Sequence, residues 1–320
     1  MTKAKQSLSP EQEKATYRVT NWSAYDAALV KRGQVTLWFA EEVIVEQWKP
    51  AATGKRGAVV QYSELAIQTL LTLKVVFSLT YRSVEGFARS LTQMMGVDLR
   101  IPDHSTLSRR ARTLNVAIPC RTQADPLHIV VDSTGLKVYG EGEWKVRQHG
   151  ASKRRTWIKV HLAVDSAIRD VVGVEVTTPA WTDAEVFDGL IKQVEGDIEQ
   201  ISGDGAYDTE AAYETARQRN ARLIVPPRDN AVPWQQEHPR TQALAHIAEQ
   251  GIKAWKQSTH YHQRSLAENA MYRLKQLLGD RLCSRLFETQ VTEVHIRIAA
   301  MNRMTSLGMP VSVRLGGLAS

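Results

Sequence analysis

The chain has 320 residues, of which 43% are hydrophobic, and this is enough apolar material for one large domain or for two or three smaller ones. Such a composition excludes a disordered chain. Lysine and arginine number 41 against 34 acidic residues, so the net charge of +7 favours polyanionic partners without identifying one.

The cysteines and the apolar segments indicate a compartment. Cys120 and Cys283 lie far apart and form neither a CxxC motif nor a disulfide framework, so a reducing setting is expected. The opening stretch MTKAKQSLSPEQEKATYR lacks the apolar core of a signal peptide, and no apolar stretch is long enough to span a bilayer. We therefore predict a cytoplasmic protein with no membrane partner.

The first part of the chain is predicted to be a polar tail followed by a helical domain. Residues 1–20 mix Lys, Gln, Ser, Glu and Pro with few large apolar groups, which is typical of a loose tail. Residues 21–125 contain the first dense apolar and amphipathic segments. We predict that this second range is a helical N-terminal domain that binds DNA.

Three helices are indicated within that domain. N-caps at Ser63 and Ser83 are predicted to begin the first two, and the third begins near Asp103 or Ser105. The second and third helices resemble a helix-turn-helix, and a basic run lies on the third. Their connection is longer than the usual tight turn, however, and the basic run fits a merely solvated face equally well.

After residue 125 the sequence changes to short β-branched runs. LHIVVDST, IKVHLAVDS and DVVGVEVTT predict three successive strands. A helix (DAEVFDGLIKQVEG), a strand (IEQIS), a helix (TEAAYETARQRN) and a strand (ARLIVPP) follow. The predicted order is β-β-β-α-β-α-β, then a polar insertion at about 228–258 and a last helix. We predict a mixed α/β domain over 126–285 and a C-terminal helical segment and tail over 286–320.

Two aspartates follow apolar strand-like runs, where an unpaired carboxylate would be costly to desolvate. They are Asp132 in IVVDSTG and Asp204 in ISGDGAYD. Gly203 and Gly205 leave room beside Asp204 for another backbone or a ligand to come close. Taken singly, each acid is as well explained by capping a turn, and that is the role we expect for Asp165 in HLAVDS.

The segment YHQRSLAENAMYRLK places four functional side chains at helical spacing. Tyr261, Arg264, Glu268 and Lys275 are separated by three, four and seven residues, so on an α-helix they would share one face. A purely solvated helix has little need of a phenol, a guanidinium, a carboxylate and an ammonium on the same side.

Asp132, Asp204 and Glu268 together supply hard oxygen ligands of the kind that Mg²⁺ or Mn²⁺ accepts. A pair of such ions about 4 Å apart can hold a phosphodiester for in-line attack, and two ions are therefore expected. Zinc is not expected, because the sequence has no His or Cys cluster at zinc spacing.

These residues carry a family resemblance. Tyr261, Arg264, Glu268 and Lys275 match the Y-x2-R-x3-E-x6-K signature of bacterial insertion-sequence DDE transposases, and the segment is most similar to the insertion sequence five family of the insertion sequence four superfamily. VVDSTGLKVYG, SGDGAYDT and, more loosely, NWSAYDAALVKRGQVTLWF extend the resemblance over nearly the whole chain.

The resemblance implies a ribonuclease-H-like core in which Asp132, Asp204 and Glu268 are catalytic and bind two divalent metals. It also implies that Tyr261, Arg264 and Lys275 contact phosphates near a transposon end. The expected protein is a bacterial, nucleoid-associated transposase. It would bind the terminal inverted repeats of its element, cleave them and join the 3′-hydroxyls to target DNA, as a homodimer because two ends are joined.

The segment EWKVRQHGASKRRTWIKVH lies between the first two predicted strands and is strongly basic. Its cationic residues are Lys145, Arg147, Lys153, Arg154, Arg155 and Lys159. We predict a phosphate-binding patch that includes Arg154 and Arg155, since sequence-independent affinity for DNA comes mainly from neutralised phosphates. A solvated basic hairpin is the alternative.

Two other functions would use much of the same sequence. A metal-dependent nuclease needs the three acids but no strand transfer. A non-catalytic DNA-binding derivative of a transposase would be expected to have lost some of the acids, and this chain has all three.

Overall fold

A computed structural model describes most of the chain. The described residues are 17–39, 47–50, 61–121, 126–138 and 157–315. No helix within these ranges is long and apolar enough to cross a membrane.

The N-terminal part is helical. Its helices are α1 (Trp22–Arg32), α2 (Val35–Trp38), α3 (Glu64–Val76), α4 (Tyr81–Met94) and α5 (His104–Arg110). Side chains from α3, α4 and α5 form one apolar cluster, in which Ile67, Leu70 and Leu107 are fully buried.

Side-chain caps explain where three of these helices begin. Ser63 accepts a hydrogen bond from the backbone of Ala66 and caps α3, as predicted, and Asp103 caps α5 in the same way. The predicted cap at Ser83 is wrong. Thr80 caps α4 instead: its side chain accepts a hydrogen bond from the backbone N–H of Ser83, one of the N–H groups that have no partner within the first turn of a helix.

The second part is built on a five-stranded sheet. Its strands are β2 (Leu127–Lys137), β3 (Trp157–Asp165), β4 (Val171–Thr177), β5 (Ile198–Ser202) and β6 (Arg222–Ile224). Their order in the sheet is β4-β3-β2-β5-β6. The first three form an antiparallel meander, whereas β5 runs parallel to β2 and β6 parallel to β5. This is a ribonuclease-H-like topology. The predicted order of strands and helices along the chain, β-β-β-α-β-α-β, is confirmed.

Two short strands form a separate ribbon. β1 (Tyr17–Val19) pairs antiparallel with β7 (Ser312–Arg314), so the beginning and the end of the described chain lie side by side.

The remaining helices surround the sheet. They are α6 (Asp183–Lys192), α7 (Glu210–Gln218), α8 (Pro239–Ser258), α9 (Ser265–Leu278) and α10 (Phe287–Ser306). Two 3₁₀ turns, Gly205–Tyr207 and Tyr261–Arg264, precede α7 and α9. The stretch predicted as a polar insertion contains α8, a helix of 20 residues with a kink at Gly251, where φ is 81°. Proline, glutamine and histidine obscured the helical periodicity there.

The two faces of the sheet carry different helices. Val130 and Leu136 of β2 pack with α9 and α10, while Ile129 and Val131 pack with α6 and α7. Because side chains alternate along a strand, Asp132 lies on the α9 side and Ser133 on the α6 side.

The long helix α10 joins the two parts of the structure. Ile296 and Ala300 belong to the apolar cluster of the N-terminal helices, whereas Val294 and Ile298 belong to the cluster beneath the sheet. A helix buried on nearly all sides can contribute to both cores at once.

Candidate active site

Asp132 lies within β2 and not at its end, so the predicted strand end is corrected. β2 continues to Lys137 because it pairs with β3 as far as Trp157. On its other side, pairing with β5 stops at Val130 opposite Ser202. Asp132 therefore stands just beyond the carboxyl edge of the parallel pair, the position where ligands gather in open α/β sheets.

Asp204 lies two residues beyond the end of β5. Its Oδ1 accepts a hydrogen bond of 2.9 Å from the backbone N–H of Ala206 and caps the 3₁₀ turn that follows. The carboxylate is partly buried. Turn capping and a place beside Asp132 are thus properties of the same side chain, not alternatives.

The two glycines beside Asp204 differ in what surrounds them. A Cβ at Gly203 would lie 2.6 Å from Cδ2 of Tyr207 and 3.0 Å from Cγ2 of Val131, whereas one at Gly205 would meet only the carbonyl oxygen of Pro226 at 3.4 Å. The group that approaches Gly203 is the side-chain ring of Tyr207, and not the backbone or ligand that was expected.

Glu268 projects from the first turn of α9. Ala267, Ala270, Met271 and Leu274 form the buried face of this helix and fix it against the sheet. The side chain of Glu268 remains 54% exposed at the edge of that contact. A carboxylate placed in this way is accessible to a ligand from solvent.

Arg264 lies between two of the acids. Its Nη1 donates to Oε1 of Glu268 at 2.7 Å, and its Nη2 donates to Oδ2 of Asp132 at 3.2 Å. The pKa of Arg264 is raised: burial opposes the charge, but the negative charges of Asp132, Glu268 and Asp204 outweigh it. The guanidinium is the central positive charge of the site.

Asp132 is much more buried than Glu268, with a side chain 13% exposed against 54%. Burial raises its pKa, while the hydrogen bond from the backbone N–H of Ser133 and the charge of Arg264 oppose the rise. The charges of Asp204 and Glu268 raise it further. Asp204 and Glu268 therefore repel the charge of Asp132. A cation nearby is needed to stabilise all three carboxylates in their ionised form.

Tyr261 does not lie on α9. It begins the 3₁₀ turn, in which residues three apart eclipse each other, so it still stands beside Arg264. The ring is buried, 5.5 Å from the ring of Trp255, and burial raises the pKa of the hydroxyl. The prediction of one continuous α-helical face is wrong for these two residues, and any contact of Tyr261 with a ligand is left to its hydroxyl.

Lys275 lies two turns after Glu268 on α9. Its Nζ donates to Oγ1 of Thr134 at 2.7 Å, and Thr134 is two residues from Asp132 on the same face of β2. The structure therefore brings Lys275 to the same side of the sheet as the acids without pairing it to one of them.

A second polar cluster lies behind Asp132 and was missed in the sequence. Asp183, the first residue of α6, holds Nζ of Lys159 at 2.9 Å from Oδ2 and Nδ1 of His161 at 3.1 Å from Oδ1. Burial opposes ionisation, but the polar side chains of His161, Ser133 and Lys159 that face Asp183, with the positive charge of Lys159, hold its pKa well below the usual range. Asp183 thus anchors the residue that follows Asp132.

One sequence signal pointed to this cluster. Thr182 and Glu185 form a capping box, which fixes the start of α6 and places Asp183 in its first turn, where an anion is stabilised. The strand pairing of Ser133 with His161 is a long-range contact that no local pattern contains.

Tyr207 is a buried residue between the two clusters. Its side chain is 1% exposed, and its hydroxyl has no hydrogen-bond partner among the described residues. Burial raises its pKa well above the usual value, and the charges of Asp183, Asp132 and Asp204 add to the rise. The phenol therefore remains neutral. It lies within electrostatic reach of Asp183, Asp132 and Asp204.

The second aspartate of SGDGAYD has a different role from the first. Asp208 is buried, pairs with Nε of Arg240 on α8 at 3.1 Å and accepts the backbone N–H of Arg228 at 3.2 Å. It fastens the turn that holds Asp204 to the helix that leads into the Tyr261 turn.

The predicted basic patch is described only in part. Arg154 and Arg155 lie outside the described residues. Lys159, at the start of β3, is described, and its ammonium pairs with Asp183.

The donor chemistry of the site fits a divalent cation such as Mg²⁺ or Mn²⁺, since all three acids offer carboxylate oxygen. Within the described ranges, however, no three His, Cys, Asp or Glu side chains converge closely enough to form a ready-made metal site. Asp132 and Glu268 converge on the guanidinium of Arg264 instead. The guanidinium of Arg264 therefore stands between Asp132 and Glu268 and keeps their carboxylates apart.

Comparison with protein families finds two models, both described as a transposase DDE domain. One matches residues 123–303, more than half of the chain, and the other matches residues 30–141. The longer match contains the sheet and all three acids.

Several solved transposase structures share a distant likeness. A piggyBac transposase synaptic complex with hairpin DNA is 16% identical, with a TM-score of 0.42 over 90% of this chain and 76% of that one. A Drosophila P element transposase strand transfer complex is 9% identical, with a TM-score of 0.29 over 88% of this chain and 71% of that one. The Mos1 strand transfer complex is 10% identical, with a TM-score of 0.21 over 72% and 82%. These likenesses are too distant to assign roles to residues.

Proposed function

The chain belongs to the family of DDE transposases, and from this premise we propose that it binds the terminal inverted repeats of an insertion sequence, cleaves them and joins the freed 3′-hydroxyls to target DNA. The single observation that carries the proposal is that Asp132 and Glu268 share the guanidinium of Arg264 at the carboxyl edge of the sheet, within electrostatic reach of Asp204.

Within the family we propose membership of the insertion sequence five group with the Y-R-E-K signature. The four residues Tyr261, Arg264, Glu268 and Lys275 support it by their spacing. They lie on a 3₁₀ turn and the helix that follows it, beside Asp132 and Thr134 of β2.

The proposed catalytic residues are Asp132, Asp204 and Glu268, which would hold two Mg²⁺ or Mn²⁺ ions. Membership of the family implies dependence on a divalent metal. Such ions activate a water or a 3′-hydroxyl and stabilise the leaving oxygen when they are bound. The protein contributes orientation: Ser133 fixes Oδ1 of Asp132, and Ala206 fixes Oδ1 of Asp204.

Asp183 supports this geometry from the other face of the sheet. Its pairs with Lys159 and His161 fix the start of α6 against β3, and its hydrogen bond with Ser133 reaches the residue whose N–H holds Asp132. We propose that Asp183 is a positioning residue, since it acts on the acids through Ser133.

Cationic side chains are proposed to bind the DNA backbone. Arg264 suits a phosphate because its guanidinium can donate two parallel hydrogen bonds, and Lys275 adds a point charge on the same side. Tyr261 would contribute through its hydroxyl, and Arg154 and Arg155 through charge. The helical domain over 21–125 is proposed as a further DNA-binding unit and the active form as a homodimer, because two ends must be joined.

Replacement of Asp132 by Asn tests the mechanism. The variant is expected to bind labelled end DNA as the wild type does but to lose cleavage by at least a hundredfold, since a neutral amide is a poor metal ligand. Asp280→Asn is the matched control. Asp280 is an exposed acid that pairs with Lys137, and Lys137 lies on β2, the strand that carries Asp132. It should retain cleavage.

The outcomes separate the competing functions. Full cleavage by the Asp132→Asn variant would refute the mechanism. Cleavage by the wild type without joining of labelled ends to a target plasmid would indicate a nuclease. Binding of end DNA with no cleavage under any divalent metal would indicate a non-catalytic DNA-binding protein.

A further inference from the structure

The centre of the site is filled by a side chain of the protein itself. Arg264 uses one terminal nitrogen for Glu268, at 2.7 Å, and the other for Asp132, at 3.2 Å. Its side chain is 24% exposed, and its buried Nε has no hydrogen-bond partner among the described residues. The guanidinium is therefore committed to the acids.

This commitment conflicts with the two roles proposed for the site. A divalent cation needs the oxygens of Asp132 and Glu268 that Arg264 now occupies. A phosphate bound through two parallel hydrogen bonds would use the same two terminal nitrogens. Each of these nitrogens has a second N–H, but a phosphate bound there would lie beside two carboxylates that repel it, so Arg264 binds a phosphate strongly only after it has left the acids.

We propose that Arg264 is an exchangeable counter-ion that couples metal loading to the grip on DNA. In the free protein it neutralises Asp132 and Glu268 and competes with metal. When a divalent cation takes those oxygens, the guanidinium is released and turns to a phosphate of the DNA end. This inference rests on the proposed metal-dependent function and adds an order of events to it.

The exposure of Glu268 gives the exchange a route. Its side chain is 54% exposed, so the 2.7 Å ion pair lies where solvent can screen it and where a cation can enter. The contact with Asp132 is the longer and more buried of the two, with side chains 24% and 13% exposed. Glu268 is therefore the acid from which Arg264 would first separate.

Thermodynamic linkage makes the coupling reciprocal. If metal frees Arg264 for phosphate, metal must tighten DNA binding, and DNA must tighten metal binding by the same factor. Without DNA, removal of the competing side chain should tighten metal binding. A partly exposed pair of ionic contacts corresponds to a change of about three- to tenfold.

Lys275 provides the matched control. Like Arg264 it is cationic and lies on the same side of the sheet, but its Nζ binds the hydroxyl of Thr134 and, within the described part of the chain, no carboxylate. Lys275→Ala removes a nearby positive charge without removing a competitor for the metal ligands. General electrostatics would affect both variants, whereas the exchange affects one.

Mn²⁺ binding to the full chain, measured without DNA by the electron paramagnetic resonance signal of the free ion, tests the exchange. Arg264→Ala should lower the dissociation constant of Mn²⁺ by about three- to tenfold, whereas Lys275→Ala should change it less than twofold. Asp132→Asn should weaken binding strongly, and thermal unfolding of each variant checks that it is folded.

A second arm measures end-DNA affinity by fluorescence anisotropy with and without Mn²⁺, in incubations too short for cleavage. The gain from Mn²⁺ should shrink in Arg264→Ala and persist in Lys275→Ala. Equal or weaker Mn²⁺ binding by Arg264→Ala, with Asp132→Asn still defective, would overturn the exchange alone. Unchanged Mn²⁺ binding by Asp132→Asn would instead overturn the proposed metal site.

Discussion

Replacement of Gly203 by Ala should disturb the site from within the fold. The new Cβ would lie 2.6 Å from Cδ2 of Tyr207 and 3.0 Å from Cγ2 of Val131. Ordinary contacts between carbon atoms are about 3.5 to 4.0 Å, so the first overlap is about 1 Å. The obstruction is a ring, not the flexible end of a side chain.

The ring has little room to move. Tyr207 is 1% exposed, and its ring centroid is 5.4 Å from that of the equally buried Phe187. Forcing extra volume into such a core costs about 1 to 3 kcal/mol, and the size of this overlap favours the upper part of that range. For a chain of this size we expect the Tm to fall by about 3 to 5 °C.

Gly205→Ala is the control, because its Cβ would meet only an ordinary contact of 3.4 Å with the carbonyl oxygen of Pro226. Thermal unfolding followed by circular dichroism should show a change of less than about 1 kcal/mol for it. Because Gly203 adjoins Asp204, end cleavage should also fall in Gly203→Ala. Tyr207→Leu should make the effect of Gly203→Ala smaller than in the wild-type background. Equal Tm values for the two glycine variants would refute the steric reasoning.

Two further substitutions test other parts of the account. Asp183→Asn should lower the free energy of unfolding at pH 7 by about 1 to 3 kcal/mol in chemical denaturation, since Lys159 and His161 lose a charged acceptor. The pKa of Asp183 is lower in the folded state than in the unfolded state, where it is near 4. Its ionised carboxylate therefore stabilises the fold above about pH 4, and this stabilisation is lost as the pH falls toward the folded-state pKa. The difference in unfolding free energy between wild type and variant should shrink below about pH 4. Glu293→Gln should cost about 3 kcal/mol, because the buried Arg297 loses its ionic partner and the 283–284 backbone loses a charged acceptor. A difference under about 0.5 kcal/mol in urea unfolding would contradict that value.

The order of strands and helices along the chain could be predicted because each element has a local sequence pattern. Each strand of the main sheet is a short apolar run, and the alternation along β2 already separates the face of Val130 from that of Val131. Asp132 and Asp204 could be found for the same reason, since each follows such a run, whereas Glu268 was found through its helical spacing from Tyr261 and Arg264.

Other features depend on contacts that local patterns do not contain. The length of β2 beyond Asp132 is set by pairing with β3 up to Trp157. The start of α4 was misplaced by three residues because Thr80 and Ser83 are both good caps. The Tyr261 turn is 3₁₀ because it follows His260, which has φ of 55° and ends α8 sharply.

The pairing of Arg264 was the least predictable feature of the site. Its spacing from Glu268 placed the two side chains on one face, but the second contact, with Asp132, joins residues 132 positions apart in the chain. Helical spacing placed Arg264 on the right side of the fold and did not reveal that its first partners are the acids.

Anomalous X-ray scattering from crystals of the chain grown with Mn²⁺ would locate the metal. We expect manganese peaks within coordinating distance of Asp132, Asp204 and Glu268, with Arg264 withdrawn from Asp132. Manganese bound only at other residues, or an Arg264 that still bridges Asp132 and Glu268 at saturating Mn²⁺, would contradict it.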